Sequence, residues 1–420
     1  MKLLIYLEQS KILNLMKKKY QANPGVGGTT FTAARLAIAL KDEIEKFNYP
    51  IEIFITTNTN QKCLFHGIEV FPLNQISNIR FNCSIITGDL INEIYYKRIL
   101  IRSDRFISCI RHPFDYDKIF KSKKIKAEIV SVSKGCYISN LFICGPHNQI
   151  DNIFDAKRIR DSLSSRLLTY KELVSTKQNR QILNIGYMGA LVSSKGFHYL
   201  AENWSNLLKY CKKHNIILKL DVIGGSNLYE FEESHPLLPC SKKYGDLLQK
   251  YLGEEINKSV FFHGTLGIER YKLMKNCDLA IVNPTGTGEA FCATILEWHS
   301  LGVPVISSLN YGMSDMMRYF KELTINNPKQ INKKIIYYLK LDEERKSELK
   351  LKSFLIANYF SSKEKQIIQK WLLLIIQTNI LINEFINLKI YIISFKNLIN
   401  FFITSFKNFL KSLLSKKLNN

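Results

Sequence analysis

Between residues 182 and 308 five short apolar runs recur: ILNIGYMG (182–189), LKLDVIGG (218–225), VFFHG (260–264), DLAIVNP (278–284) and VPVISS (303–308). Helical patterns near 197–210, near 267–275 and from about 291 lie between them. A strand apolar at nearly every position is buried on both faces, which happens when helices cover both sides of a parallel sheet. That alternation excludes helical bundles and β-sandwiches and points to a doubly wound α/β architecture. Residues 226–258 are polar, with His235-Pro236 and Pro239, and read as a loop-rich insertion.

The first half repeats the pattern. KLLIY (2–6), IEIFIT (51–56), CSIIT (83–87), RFISCI (105–110) and EIVSVS (128–133) are strand candidates, and a helical pattern fills 30–46. The chain thus reads as two Rossmann-like domains in tandem, residues 1–175 and 176–345, joined around 155–181. Residues 346–420 form a C-terminal helical extension. Open α/β sheets bind ligands at the carboxyl ends of their strands. Two such domains facing each other make the cleft between them the expected site.

The net charge of +23 attracts anions, whether nucleic acid, acidic lipid or phosphorylated substrate. Nine cysteines, an odd number without a C-x-x-C pair, argue against a disulfide framework and for a reducing compartment. The eight histidines form no metal-ligand spacing with them. The N-terminus, MKLLIYLEQSKIL, lacks the long apolar region of a signal peptide, so a cytoplasmic protein is expected. Residues 366–420 carry seven lysines against one glutamate. Their polar residues recur every three or four positions from Asn379 to Ser415. This is the pattern of a basic amphipathic helix, suited to the inner face of an anionic membrane through Lys389, Lys396, Lys407 and Lys411, or to packing against a partner.

The densest chemistry lies in NPTGTGEAFCATILEWHSLGVPVISS (283–308). The strand ends at Asn283-Pro284, a Thr/Gly loop follows, and a helix is expected to begin near Phe291. The amides of Phe291, Cys292 and Ala293 would then be unpaired donors at a positive helix end, where an anion binds. Glu289 precedes the helix and Glu297 lies inside it, at most about 12 Å further along the axis. A ligand with a central diphosphate fits: phosphate at the helix start, and a carboxylate for the hydroxyl groups at each end. A nucleotide sugar has that composition.

E-x7-E followed by a small residue, glycine and Pro-Val-Ile resembles the signature of family 4 glycosyltransferases, which have the GT-B fold. Here it stands as Glu289…Glu297-Trp298-His299-Ser300-Leu301-Gly302-Val303-Pro304-Val305-Ile306. GYMGALVSSKGFHYL (186–200), DVIGGS (221–226) and PGVGGTTFTAARLAIAL (24–40) are similar to three more patches of that family, so the resemblance spans about residues 20–345. It implies that Glu289 contacts the donor sugar, Glu297 the ribose and Lys195 the diphosphate. Gly189 and Gly225 would form glycine turns on the nucleotide side. Gly27 and Gly28 would admit backbone amides from the other domain. His112, in CIRHPFD, would stand near the transferring centre.

Three positions depart from the family. Ala190 stands where an arginine usually follows the strand glycine. Ala290-Phe291-Cys292 replaces Gly-Phe-Gly. Trp298 replaces a small residue. Among competing motifs, GVGGTT (25–30) lacks the Lys-Ser/Thr of a P-loop. Asp115-Tyr116-Asp117 mimics a D-x-D metal motif but follows a proline-containing loop, and two surface aspartates are expected there. No stacking-aromatic pattern joins the basic run 118–126, so nucleic acid is not expected.

The resulting expectation is a retaining, metal-independent glycosyltransferase with no cofactor. It would move a sugar from a nucleoside-diphosphate sugar to a surface-glycan or lipid-linked acceptor. The alternative is a non-catalytic, membrane-docked subunit of a glycan assembly complex.

Overall fold

Two sheets with different strand orders organise the protein. The computed structural model describes residues 1–163, 182–226 and 233–376. The first sheet uses β1 (Lys2–Tyr6), β2 (Glu52–Thr57), β3 (Cys63–Phe65), β4 (Ile68–Pro72), β6 (Cys83–Thr87), β8 (Phe106–Ile110), β9 (Glu128–Ser131) and β10 (Asn148–Gln149). β5 (Arg80–Phe81) and β7 (Arg102–Ser103) form a separate two-stranded ladder. The spatial order β10-β9-β8-β6-β1-β2-β4-β3 is parallel except for the β3–β4 hairpin pair. The helices of this half are α1 (Lys11–Leu15), α2 (Gly28–Phe47), α3 (Leu90–Tyr95), α4 (Tyr116–Lys124), α5 (Lys134–Cys144) and α6 (Ala156–Asp161).

The second sheet comprises β11 (Ile182–Met188), β12 (Ile217–Ile223), β13 (Val260–Gly264), β14 (Leu279–Ile281), β15 (Val305–Ser308) and β16 (Thr324–Ile325). Its order is β13-β12-β11-β14-β15-β16, all parallel. Every strand expected from the apolar runs is present within a few residues. The helix near 197–210 is divided into Phe197–Glu202 and Trp204–Lys213. The segment expected to be loop-rich contains a helix, Lys242–Leu252, because Tyr244, Leu248 and Leu252 recur every fourth residue and are buried. The flanking prolines obscured that stripe.

Met1–Trp371 is one compact unit. After the second sheet the chain returns toward the first half, where Arg35 of α2 meets Glu364 at 2.9 Å. Arg158 of α6 pairs with Asp155 at 2.8 Å, and Tyr20 stacks beneath both Arg35 and Arg158. Burial raises the Glu364 carboxyl above its usual range, and Arg35 partly offsets this. The amphipathic stretch with Lys389, Lys396, Lys407 and Lys411 lies outside the described residues, and so do residues 164–181 of the expected junction. Among the described residues, no helix is long and apolar enough to cross a membrane.

The helix Ala293–Ser300 is buried on nearly every side, which accommodates Trp298 in place of a small residue. Trp298 is fully buried, and its indole lies over Gly186 of β11, where an added Cβ would sit 2.2 Å from Cη2. His299 is also fully buried, and neither ring nitrogen has a hydrogen-bond partner among the described residues. Its ring packs 4.7 Å from Phe320. Desolvation pushes its pKa down to about 3. The folded protein therefore holds His299 neutral, while the unfolded chain protonates it below about pH 6.5. Its stabilising contribution is complete above that pH and is lost progressively as pH falls toward 3, at about 1.4 kcal/mol per unit. Calorimetric unfolding at pH 7, 6, 5 and 4 should show this slope, and His299→Leu should flatten it. Equal acid sensitivity of the two proteins would contradict the assignment.

Candidate functional site

The glutamate loop is built by backbone conformations that glycine permits. Beyond β14, Asn283 has φ +37° and Gly286 and Gly288 have φ +73° and +70°. At Gly286 a side chain would strike Ser308 Oγ at 2.4 Å, so the loop folds tightly over β15. Asn283 Nδ2 donates to Thr287 O (2.9 Å) and to Glu289 Oε1 (3.2 Å). Facing it is the loop after β11. Thr285 and Thr287 both donate to Ser194 O, the latter at 2.6 Å. Lys195 Nζ meets Glu289 Oε1 at 2.5 Å. Both side chains are only part-buried, so a ligand entering the cleft can reach them.

The helix begins at Ala293, two residues later than expected, with Cys292 as its cap. No side chain caps it. The Ala293 amide is not a free donor as the sequence suggested, because it bonds Phe291 O at 3.0 Å. The amides of Phe291 and Cys292 remain at the positive helix end. Burial, with Glu289 adding to it, raises the Cys292 thiol well above its ordinary range. A protonated, fully buried thiol is no nucleophile.

Glu297 occupies a different setting from the open polyol contact expected of it. It is buried, and both carboxylate oxygens are engaged by Arg270: Nη2 lies 3.1 Å from Oε1, and Nε 3.3 Å from Oε2. Arg270 also donates to Tyr271 OH (2.7 Å), Gly267 O (2.6 Å) and, across the cleft, Asn23 O (2.8 Å). Burial is the largest influence and lowers the guanidinium's pKa, but the charge and hydrogen bond of Glu297, with Tyr271 and Glu269, together outweigh it and the net shift is upward. Arg270 was missed because GIERYKLMKN reads as a solvated helix start. What marks it is structural: Arg270, Tyr271 and Met274 share one buried face.

The register of β11 against β12, from Ile182↔Ile217 to Met188↔Ile223, ends both strands together. The glycines that follow therefore abut. A Cβ on Gly224 would lie 2.0 Å from Gly189 O, and Leu191 N donates to Gly225 O at 3.3 Å. Ala190 sits in this turn.

The first half supplies the opposite wall. Asn23 Oδ1 accepts from the amides of Gly25 and Val26, both at 3.0 Å, and shapes the turn before α2. Gly25 has φ +92° and would clash with Leu266 O at 2.7 Å if it carried a side chain. Gly27 caps α2 and Gly28 opens it. Gly135, near the start of α5, lies so close to Tyr311 that a Cβ would sit 2.0 Å from its carbonyl. Ser133 Oγ bonds Ala290 O, and Ala290 packs with Val132 and Cys136. The alanine in place of glycine thus fills the seam between the halves. His112 is exposed just beyond β8, and its carbonyl is held by Asn140 Nδ2 at 3.3 Å. Neighbouring Arg111 bonds Thr32 Oγ1 (2.8 Å) and Asn152 Oδ1 (3.2 Å). Asp115 caps α4, and Asp117 pairs with Lys121 at 2.6 Å, so both carboxylates have local partners. Among the described residues, no group of three metal-ligating side chains converges.

Residues 174–350 match the family model described as glycosyl transferases group 1. This segment is a group 1 glycosyltransferase domain, and the protein is a transferase. A search among curated proteins finds no matching sequence. Solved structures with the same overall fold include HepE of Anabaena in complex with UDP and glucose. It is 14% identical with a TM-score of 0.54, and the alignment covers 88% of this chain and 99% of that one. A glycosyltransferase from Rickettsia africae is 14% identical at a TM-score of 0.58, covering 90% and 99%. The trehalose-6-phosphate synthase OtsA is 12% identical at 0.58, covering 90% and 100%. The architecture is the GT-B fold.

Proposed function

We propose that the protein transfers a sugar, with retention at the anomeric carbon, from a nucleoside-diphosphate sugar to a hydroxyl of a surface-glycan or lipid-linked acceptor. Capsule, O-antigen or a related polysaccharide is the class of product. The observation that carries this reading is the 2.5 Å Lys195–Glu289 pair beside the start of helix Ala293–Ser300. An ammonium and a helix end converge where a diphosphate would lie, and a carboxylate stands next to them for sugar hydroxyls. The solved relative HepE holds UDP and glucose on the same fold, which agrees with a nucleotide-sugar donor.

In the proposed reaction the bond between the anomeric carbon and the diphosphate oxygen breaks. The acceptor oxygen forms its bond on the face that the diphosphate leaves, and the acceptor proton passes to the departing phosphate oxygen. Lys195 exchanges Glu289 for the incoming phosphate, which frees the Glu289 carboxylate for donor hydroxyls. Helix-start amides share the charge that develops on the leaving group. Closure of the two halves, with Arg270 bridging from Glu297 to Asn23, aligns the acceptor. We propose that no metal takes part.

Calorimetric titration of UDP, GDP, ADP and their sugars, comparing wild type with Glu297→Gln, tests the donor site. Glutamine removes the counter-charge of buried Arg270 but keeps one acceptor for it, whereas alanine removes both. Selective micromolar binding, weakened about tenfold or more by the substitution, is expected. No binding to any nucleotide would reject the donor reading and favour the non-catalytic subunit that Ala190 suggests. NMR of the product should show the donor's anomeric configuration, with activity unchanged by EDTA. Inversion would refute retention, and loss of activity restored by Mn²⁺ would refute metal independence.

A further inference from the structure

The outer layer of the first half carries apolar side chains that folding leaves in water. β8, β9 and β10 are adjacent and in chain order, so the crossover helices α4 and α5 lie on the same face of the sheet. Lys123 of α4 donates to Ile143 O of α5 at 2.8 Å, which fixes the two helices side by side. On α5, Ile138, Leu141 and Phe142 share one outward stripe, with Ile138 58% and Phe142 96% exposed. On α4, Tyr116 and Phe120 are exposed beside Lys123, Lys124 and Lys126, and Lys124 Nζ stands 5.4 Å from the Phe120 ring. Tyr96, at the end of α3, extends the patch, with the Lys121 ammonium 5.0 Å from its ring. Asp117 is the acidic residue of α4, and Lys121 already neutralises it.

The patch reaches the cleft. Phe114 has φ +54°, a strained conformation for a bulky residue that persists only where something over-determines it. Its amide is pinned by Asn140 Oδ1 of α5 at 2.8 Å, and its exposed ring stacks with Tyr116 and meets Tyr311 of the second half edge-on. His112 lies two residues away. Aromatic and aliphatic groups flanked by lysines are the composition that enters the headgroup region of a bilayer, with the ammonium groups drawn to acidic lipid.

We infer that the α4–α5 face docks on an anionic membrane surface and sets the mouth of the cleft against it. The acceptor terminus of a lipid-linked substrate would then meet His112 without leaving the bilayer surface. The orientation rests on the donor reading above; the docking itself does not, and it is separate from any contribution of the C-terminal stretch.

Full-length protein should co-sediment with vesicles containing phosphatidylglycerol and much less with pure phosphatidylcholine. Ile138→Glu/Phe142→Glu, or Lys123→Glu/Lys124→Glu, should lower the partition constant about tenfold or more, with nucleotide binding by calorimetry unchanged. A local readout excludes the C-terminal stretch as the cause. The indole introduced by Phe142→Trp should blue-shift on anionic vesicles and be quenched by brominated acyl chains. Equal sedimentation of variants and wild type, or an indole that no brominated lipid quenches, would overturn the proposal. So would a change in oligomeric state caused by Phe142→Glu without any change in vesicle binding, which would make the face a protein interface. Failure of nucleotide binding with intact docking would reject the donor reading alone.

Discussion

Lys195→Ala is expected to lower kcat by about 10²–10³-fold, the usual cost of removing one preorganised donor to a developing anion. The ammonium is 2.5 Å from Glu289 and is placed by a short turn that ends at Gly196, where φ is +76°. A side chain at Gly196 would strike Thr285 Cγ2 at 2.6 Å, so the turn is locked to the glutamate loop before substrate arrives. The substitution leaves the part-exposed Glu289 free to hydrate, so folding should survive. Lys195→Arg should restore part of the rate, because the charge returns on a different geometry. Steady-state kinetics separate the alternatives. A fall in kcat means that the ammonium acts on the charge formed during bond breaking. A rise in KM with unchanged kcat would show that it only holds the donor.

Lys195 and Glu289 were singled out one by one through the family resemblance, and their pairing emerges only from the fold. Strand positions were legible because β1, β6, β11 and β14 are apolar at nearly every residue, and few folds bury a strand on both faces. Arg270 was not legible, since its partners Glu297 and Asn23 are 27 and 247 residues away and burial is the only thing that marks it. The same limit applied to α3, α4 and α5. Their stripes are short, and only the sheet places them in one layer. Ala290 stands where the family has a glycine. The structure gives it a place in the seam with Val132 and Cys136, a contact that needs both halves folded.

Trp298 is the departure whose consequences reach furthest, and its partner is a missing side chain. The residue following Glu297 is a full indole under which β11 offers only Gly186. Volume has moved from the strand to the helix, so the two positions should behave as one unit. Trp298→Ala should cost about 3–5 kcal/mol, the range for emptying a large aromatic site. Gly186→Val should also destabilise strongly, because its Cβ would lie 2.2 Å from Trp298 Cη2 and 3.0 Å from Cys277 Sγ. Combining the two changes should recover about 1–3 kcal/mol relative to the sum of the singles, since each removes the reason the other is harmful. Urea unfolding of the four proteins measures this coupling, and strict additivity would show that the indole does not depend on the glycine. The effect should extend to the site. Trp298 sets how closely the helix Ala293–Ser300 approaches β11, and the same helix carries Glu297 while β11 leads directly to Gly189. The double variant should therefore be more stable than the sum of the single costs implies, yet bind the donor more weakly than wild type. Packing density would be restored in it, but the height of the helix above the glycine turn would not.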